Sequence, residues 1–74
     1  MRISVKKDDP GYREDAHRFK AYLNGHEVEY CFTADDDLGV CLCHDVETFK
    51  RERLGYMPVK KLTGFVEIVK CNQS

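Results

Sequence analysis

The chain has 74 residues, of which 12 are basic and 13 acidic, with three histidines, four cysteines, 42% hydrophobic residues and a net charge of −1. That length predicts a single domain, 1–74, which hides only about 60% of the surface its unfolded form exposes. No apolar run is long enough to span a membrane, and the charge split (−3 over residues 1–39, +2 over 40–74) lacks the basic excess of a phosphate-backbone binder.

Residues 2–7, RISVKK, alternate: Ile3 and Val5 fall on one side, Arg2, Ser4 and Lys6 on the other. That period of two predicts a half-buried strand. The opening MRISVKKDDPGY carries no apolar signal-peptide core, so the sequence predicts a cytoplasmic location with reduced thiols. Asp8-Asp9-Pro10-Gly11 is turn chemistry, because proline presets φ and glycine accepts a positive one. Residues 12–16, YREDA, read as irregular or as one helical turn.

HRFKAYLNGHEVEYCF, residues 17–32, contains the strongest short-range hairpin signal, Asn24-Gly25 between two alternating runs. A two-residue loop pairs Leu23 with His26, Tyr22 with Glu27, Ala21 with Val28, Lys20 with Glu29 and Phe19 with Tyr30. One face then collects Phe19, Ala21, Leu23, Val28, Tyr30 and Phe32, and the other collects the charged residues and Cys31. A loop at Ala34–Gly39 leads into a further strand, VCLC. With Val40 and Leu42 facing the core, Cys31, Cys41 and Cys43 share the outer face, and Cys31 lies opposite Cys41 or Cys43.

Asp45 predicts the cap of a short helix around residues 45–54, with Val46, Phe49 and Leu54 on one side and Gly55 ending it. A strand with a turn at Leu54-Gly55 is the rival expectation. Residues 59–70, VKKLTGFVEIVK, read as one final strand with a bulge at Gly64. Phe65, Val66, Ile68 and Val69 imply burial on both faces and a central place in the sheet. Cys71–Ser74 is expected to be a tail.

Four groups of residues invite a functional reading. Cys31, Cys41, Cys43 and His44 supply the right number of donors for zinc, but a one-residue spacer on a strand holds side chains roughly 6.5–7 Å apart. Structural zinc sites use two- to four-residue spacers. Nucleophilic catalysis needs a thiolate beside a base, and no spacing links His17, His26 or His44 to a cysteine. Asp35-Asp36-Asp37 lacks the closing glutamate of a calcium loop and reads as solvated. Lys50, Arg51, Arg53, Lys60 and Lys61, with Tyr56 between the two halves, form the basic cluster of the chain. It is the candidate partner-binding surface, and Glu52 and the acidic first half weigh against nucleic acid.

The strand into DDPGYR, the LNG hairpin, the TADDDLG loop and the closing GFVEIV resemble small phage- or prophage-encoded proteins of unknown function. The resemblance implies a mainly β fold and a phage or bacterial cytoplasmic setting, and it carries over no catalytic residue. The expectation is therefore a compact antiparallel sheet of about five strands with one short helix against the face holding Phe19, Tyr30 and Phe32. Its expected function is non-enzymatic and without a cofactor: a phage- or prophage-encoded accessory that binds a host or phage protein. Homodimerisation is compatible with its open strand edges. The alternative from another class is a zinc module using Cys31, Cys41, Cys43 and His44 in nucleic-acid transactions.

Overall fold

Turn chemistry sets the strand plan of this computed structural model, which describes residues 1–71. β1 (Arg2–Ser4) runs into the predicted turn, where Asp9 takes the Gly11 N–H on Oδ1 at 2.8 Å and the Arg2 guanidinium on both oxygens. A single 3-10 turn (Ala16–Arg18) leads into β2 (Phe19–Leu23). Asn24 and Gly25 hold φ of 51° and 85°, the pair of positive values a type I′ turn requires. They join β2 to β3 (His26–Glu27) in the expected register, Leu23 opposite His26 and Tyr22 opposite Glu27.

Beyond Glu27 the expected hairpin gives way. The Val28 N–H still donates to the Ala21 carbonyl at 2.9 Å, but Tyr30 takes a positive φ of 59° and turns the chain out of this sheet. Tyr30 is therefore exposed rather than buried with Phe19, and Lys20 lies 3.8 Å from Glu27 instead of facing Glu29. β4 (Cys31–Asp35), β5 (Val40–His44), β6 (Val59–Thr63) and β7 (Val66–Lys70) follow. One sheet has the order β1-β4-β5-β6 and the other β3-β2-β7, and every pairing within them is antiparallel.

The fold is mainly β with one short helix, as expected, and its strands number seven in two facing sheets. The run from 59 to 70 is two strands, and it crosses from one sheet to the other at Gly64. Both lie at sheet edges, so Phe65 and Val69 are exposed instead of packed in a central strand. β1 also departs from strict alternation. Ile3 and Ser4 are both buried while Val5 is exposed, because the Ser4 main chain bonds Gly11 and Arg13 and its hydroxyl meets that of Thr33 at 2.7 Å.

Helix α1 (Val46–Glu52) starts where expected. The Asp45 carboxylate accepts from the Thr48 N–H at 3.1 Å and from its hydroxyl at 2.8 Å. These bonds hold the Asp45 carboxyl below its ordinary range, the hydroxyl contributing most. The helix ends at Arg53, which takes the left-handed cap conformation with φ of 51° in place of Gly55. None of its residues is buried, so it flanks the sandwich rather than covering the Phe19 face. No helix among the described residues is long and apolar enough to cross a membrane. Of the expected tail, Cys71 directly follows β7, and 72–74 lie outside the described residues.

The core draws Ile3, Ala34, Cys41 and Cys43 from the larger sheet, Ala21 and Val66 from the smaller, and Ala16 from the 3-10 turn. Phe19, Leu23, Val28, Cys31, Leu62 and Ile68 pack around it. The cysteines therefore face inward, which reverses the expected orientation of β5. At one end the β4–β5 loop and the β6–β7 crossover lock together, with the Gly64 N–H donating to the Gly39 carbonyl at 3.0 Å. Gly39 has φ of 66°, and a Cβ there would run into the Gly64 carbonyl oxygen. Gly39→Ala should cost about 2–4 kcal/mol, from left-handed strain plus displacement of a neighbouring backbone. Urea unfolding of the variant checks this, and an unchanged midpoint would contradict the contact.

Candidate functional site

The three clustered thiols come from β4 and β5. Asp35 closes the hairpin between these strands. Its Oδ1 accepts from the N–H groups of Asp37 and Leu38 at 3.0 and 2.9 Å, and Arg2 approaches Oδ2 at 3.5 Å. The register then runs Asp35–Val40, Ala34–Cys41 and Thr33–Leu42, slips by one residue, and resumes at Cys31–Cys43. The slip is a β-bulge that leaves Phe32 extra. It puts Cys31 on the same inner face as Cys43, and the Cys31 thiol lies beside both Cys41 and Cys43. It donates to the Thr33 carbonyl at 3.1 Å.

Burial pushes all three thiols up. For Cys31 the neighbouring Cys43 and Cys41 add to the rise, and for Cys43 the Lys60 ammonium offsets part of it. They are therefore protonated at neutral pH and poor nucleophiles. His44 does not join them. Its side chain lies on the other side of β5, where the ring stacks on Phe32 with centroids 4.8 Å apart and planes tilted by 36°. Among the described residues, Asp35, Asp36 and Asp37 form the one group of three or more Asp, Glu, Cys or His whose ligand atoms all lie within 4.8 Å of one another. The sulfurs and the His44 imidazole do not gather in that way. Asp35 is already engaged in closing its loop, and Asp36 and Asp37 face the Met1 amine at 2.5 and 2.7 Å. His17 and His26 are exposed, one in the 3-10 turn and one at the start of β3.

Two concavities flank the segment Glu27–Tyr30. One, of about 410 Å³, opens between the sheets and is walled by Ile3, Ala16, Ala21, Val28, Cys31 and Ile68. The other, of about 520 Å³, runs between the β2–β3 hairpin and the α1–β6 side, past Leu23, His44, Val46, Lys60 and Leu62. Cys31 is thus the core thiol that borders open space, whereas Cys41 and Cys43 are fully enclosed.

The basic cluster sits on α1, its following loop and β6. Lys50, Arg51, Arg53, Tyr56, Lys60 and Lys61 are all exposed. Arg51 and Lys60 both act on the Asp45 carboxylate and so share one neighbourhood. Lys61 pairs with Leu42 while Lys60 pairs with Cys43, so these two lysines point to opposite faces of β6. β6 is the outermost strand of its sheet. Bonds from the Gly64 N–H to Gly39 and from the Asp45 N–H to Pro58 fix its phase. Residues 60 and 62 bond β5, which leaves the N–H and C=O groups of Val59, Lys61 and Thr63 directed outward. Sequence reasoning found the side chains of this surface and missed its main-chain groups, because an edge is defined by what fails to pair with it. The inward thiols had a legible signal, since cysteine ranks among the most buried residue types.

The chain matches no protein-family model, no curated protein and no solved structure.

Two measurements test this geometry. Thiols that stay protonated when folded and ionise when unfolded make the native state bind more protons above about pH 9, so stability falls as pH rises. Each such thiol contributes a slope of about 1.4 kcal/mol per pH unit. Cys41→Ala should lower the overall stability and flatten that alkaline slope by the contribution of one thiol, as read from denaturant unfolding between pH 8 and pH 10. Separately, the His44 Nδ1 is buried with no hydrogen-bond partner. His44→Phe, which keeps the stacked ring and removes that atom, should raise stability by about 1 kcal/mol. A fall in the melting temperature would show that the nitrogen is satisfied.

Proposed function

We propose that this domain is a non-enzymatic binding module that takes an extended, acidic segment of a partner protein onto the open edge of β6. The observation that carries this reading is the outward row of main-chain groups at Val59, Lys61 and Thr63 beside a cationic and apolar surround. Lys50, Arg51, Arg53, Lys60 and Lys61 outnumber the acids of residues 45–61, which are Asp45, Glu47 and Glu52. Tyr56, Met57 and Val59 expose 66%, 41% and 56% of their surface, ample for alternate side chains of an added strand to cover. Lysines on an edge strand ordinarily repel other edges, and a strand carrying glutamate or aspartate reverses that repulsion. A second copy pairing β6 with β6 brings like charges together, which disfavours it relative to an acidic partner.

The protonated thiols, two of them fully enclosed, support a non-enzymatic role, and four unpaired cysteines suit a cytoplasmic setting. The resemblance to phage-encoded proteins makes a host or phage protein the proposed partner.

An acetylated peptide of alternating valine and glutamate, titrated into labelled protein by NMR, tests the site. The amides of Val59, Lys61 and Thr63 should shift and gain protection from exchange. Lys61→Pro removes an outward N–H and no bond to β5, and it should weaken binding roughly tenfold while leaving the fold intact. Binding that persists in Lys61→Pro, or protection confined to β3 or β7, would overturn the reading.

A further inference from the structure

We infer that Cys31 and Cys43 form a latent cross-strand dithiol couple, a site of reversible oxidation by a low-molecular-weight disulfide. The two residues are direct register partners across β4 and β5. The His44 N–H donates to the Tyr30 carbonyl at 3.0 Å, one residue outside this pair, which makes Cys31–Cys43 a non-hydrogen-bonded pair. In such pairs the Cα atoms lie about 4.5 Å apart and the side chains lean together, within the roughly 4.4–6.8 Å that a disulfide spans. Both are free thiols here. Cys41 lies two residues along the same strand as Cys43 and pairs with Ala34 rather than with a cysteine. The site is asymmetric in access: Cys31 borders the cavity between the sheets, while Cys43 is fully enclosed.

That asymmetry orders the chemistry. The Cys31 thiol loses its proton and attacks one sulfur of the small disulfide. A mixed disulfide forms at Cys31 and one small thiolate leaves, taking up the proton. The deprotonated Cys43 sulfur then attacks the Cys31 sulfur, which expels the second small thiol. Two electrons and two protons pass from the protein to the oxidant, and one bond joins β4 to β5. Because both thiols are held protonated by burial, the reaction accelerates as pH rises towards the range where they ionise.

Oxidised glutathione is the probe. Treated full-length protein should lose two hydrogen atoms in mass, and the thiols open to alkylation after unfolding should fall from four to two. Cleavage at Asp35–Asp37 separates Cys31 from Cys41 and Cys43, so peptide fragmentation assigns the partner. The melting temperature should rise by roughly 10 °C on closing this loop. Cys43→Ala should stop at a stable glutathione adduct on Cys31, and Cys41→Ala should still cross-link. If neither variant folds, mapping of the wild-type protein decides alone. A bond from Cys41 to either neighbour, a Cys71-linked dimer as the sole product, or four thiols still open to alkylation would overturn the inference.

Discussion

Asp35 accepts the amides of Asp37 and Leu38, and that short closure seats Val40 opposite Asp35. The organisation of the interior follows from this pairing. One step along, Ala34 meets Cys41, and beyond the bulge at Phe32 Cys31 meets Cys43, so the inner face of the larger sheet is lined with small, polarisable side chains. No fully buried side chain among the described residues is bulkier than cysteine. Larger apolar groups such as Phe19, Leu23 and Ile68 surround the core only partly covered, and Tyr30, Leu38, Tyr56 and Phe65 remain in solvent. A chain this short has too little volume to enclose them.

The parts legible in the sequence were those set by local chemistry. Asn24-Gly25 specifies positive φ at two adjacent residues, and Asp45 offers a carboxylate three residues before an orphan N–H, so both appear where expected. Pro10-Gly11 likewise sits in a turn. Tertiary choices were not legible. Val28-Glu29-Tyr30 continues the alternation of a strand, and nothing in it announces that Tyr30 adopts a left-handed conformation and leaves the sheet. Gly64 was visible as an irregularity, but whether a strand bulges or crosses to a second sheet depends on what waits on the other side. In V-C-L-C-H both faces are apolar, so period-two reasoning has no polar side to orient it. Treating cysteine as the outward residue then inverted the strand.

The same inversion separates the candidate sites. Facing outward, the thiols would be solvent-side groups available to partners; facing inward, they are protonated core residues, with Cys31 alone bordering a cavity. The proposed binding surface lies instead at the margin of the larger sheet where β6 lacks a neighbour. The Asp45 carboxylate, which caps the helix through Thr48, is held down in pKa by those bonds and also by the charges of Lys60 and Arg51. The oxidisable pair and the open edge lie on β4–β5 and β6, joined by one ladder. Oxidation at Cys43 acts on the strand to which β6 is paired.

The strand order also divides the pairings by distance along the chain. β4, β5 and β6 form a meander whose pairings join near neighbours in the chain, whereas β2 pairs with β7, the last strand described. The meander therefore joins residues 31–63 strand by strand in chain order, while the β2–β7 pairing must bring residues 19–23 to residues 66–70. Non-local pairing of this kind slows closure. The two sheets thus differ in contact order: the larger closes mostly through local pairings, and the smaller is completed only when segments far apart in the chain come together.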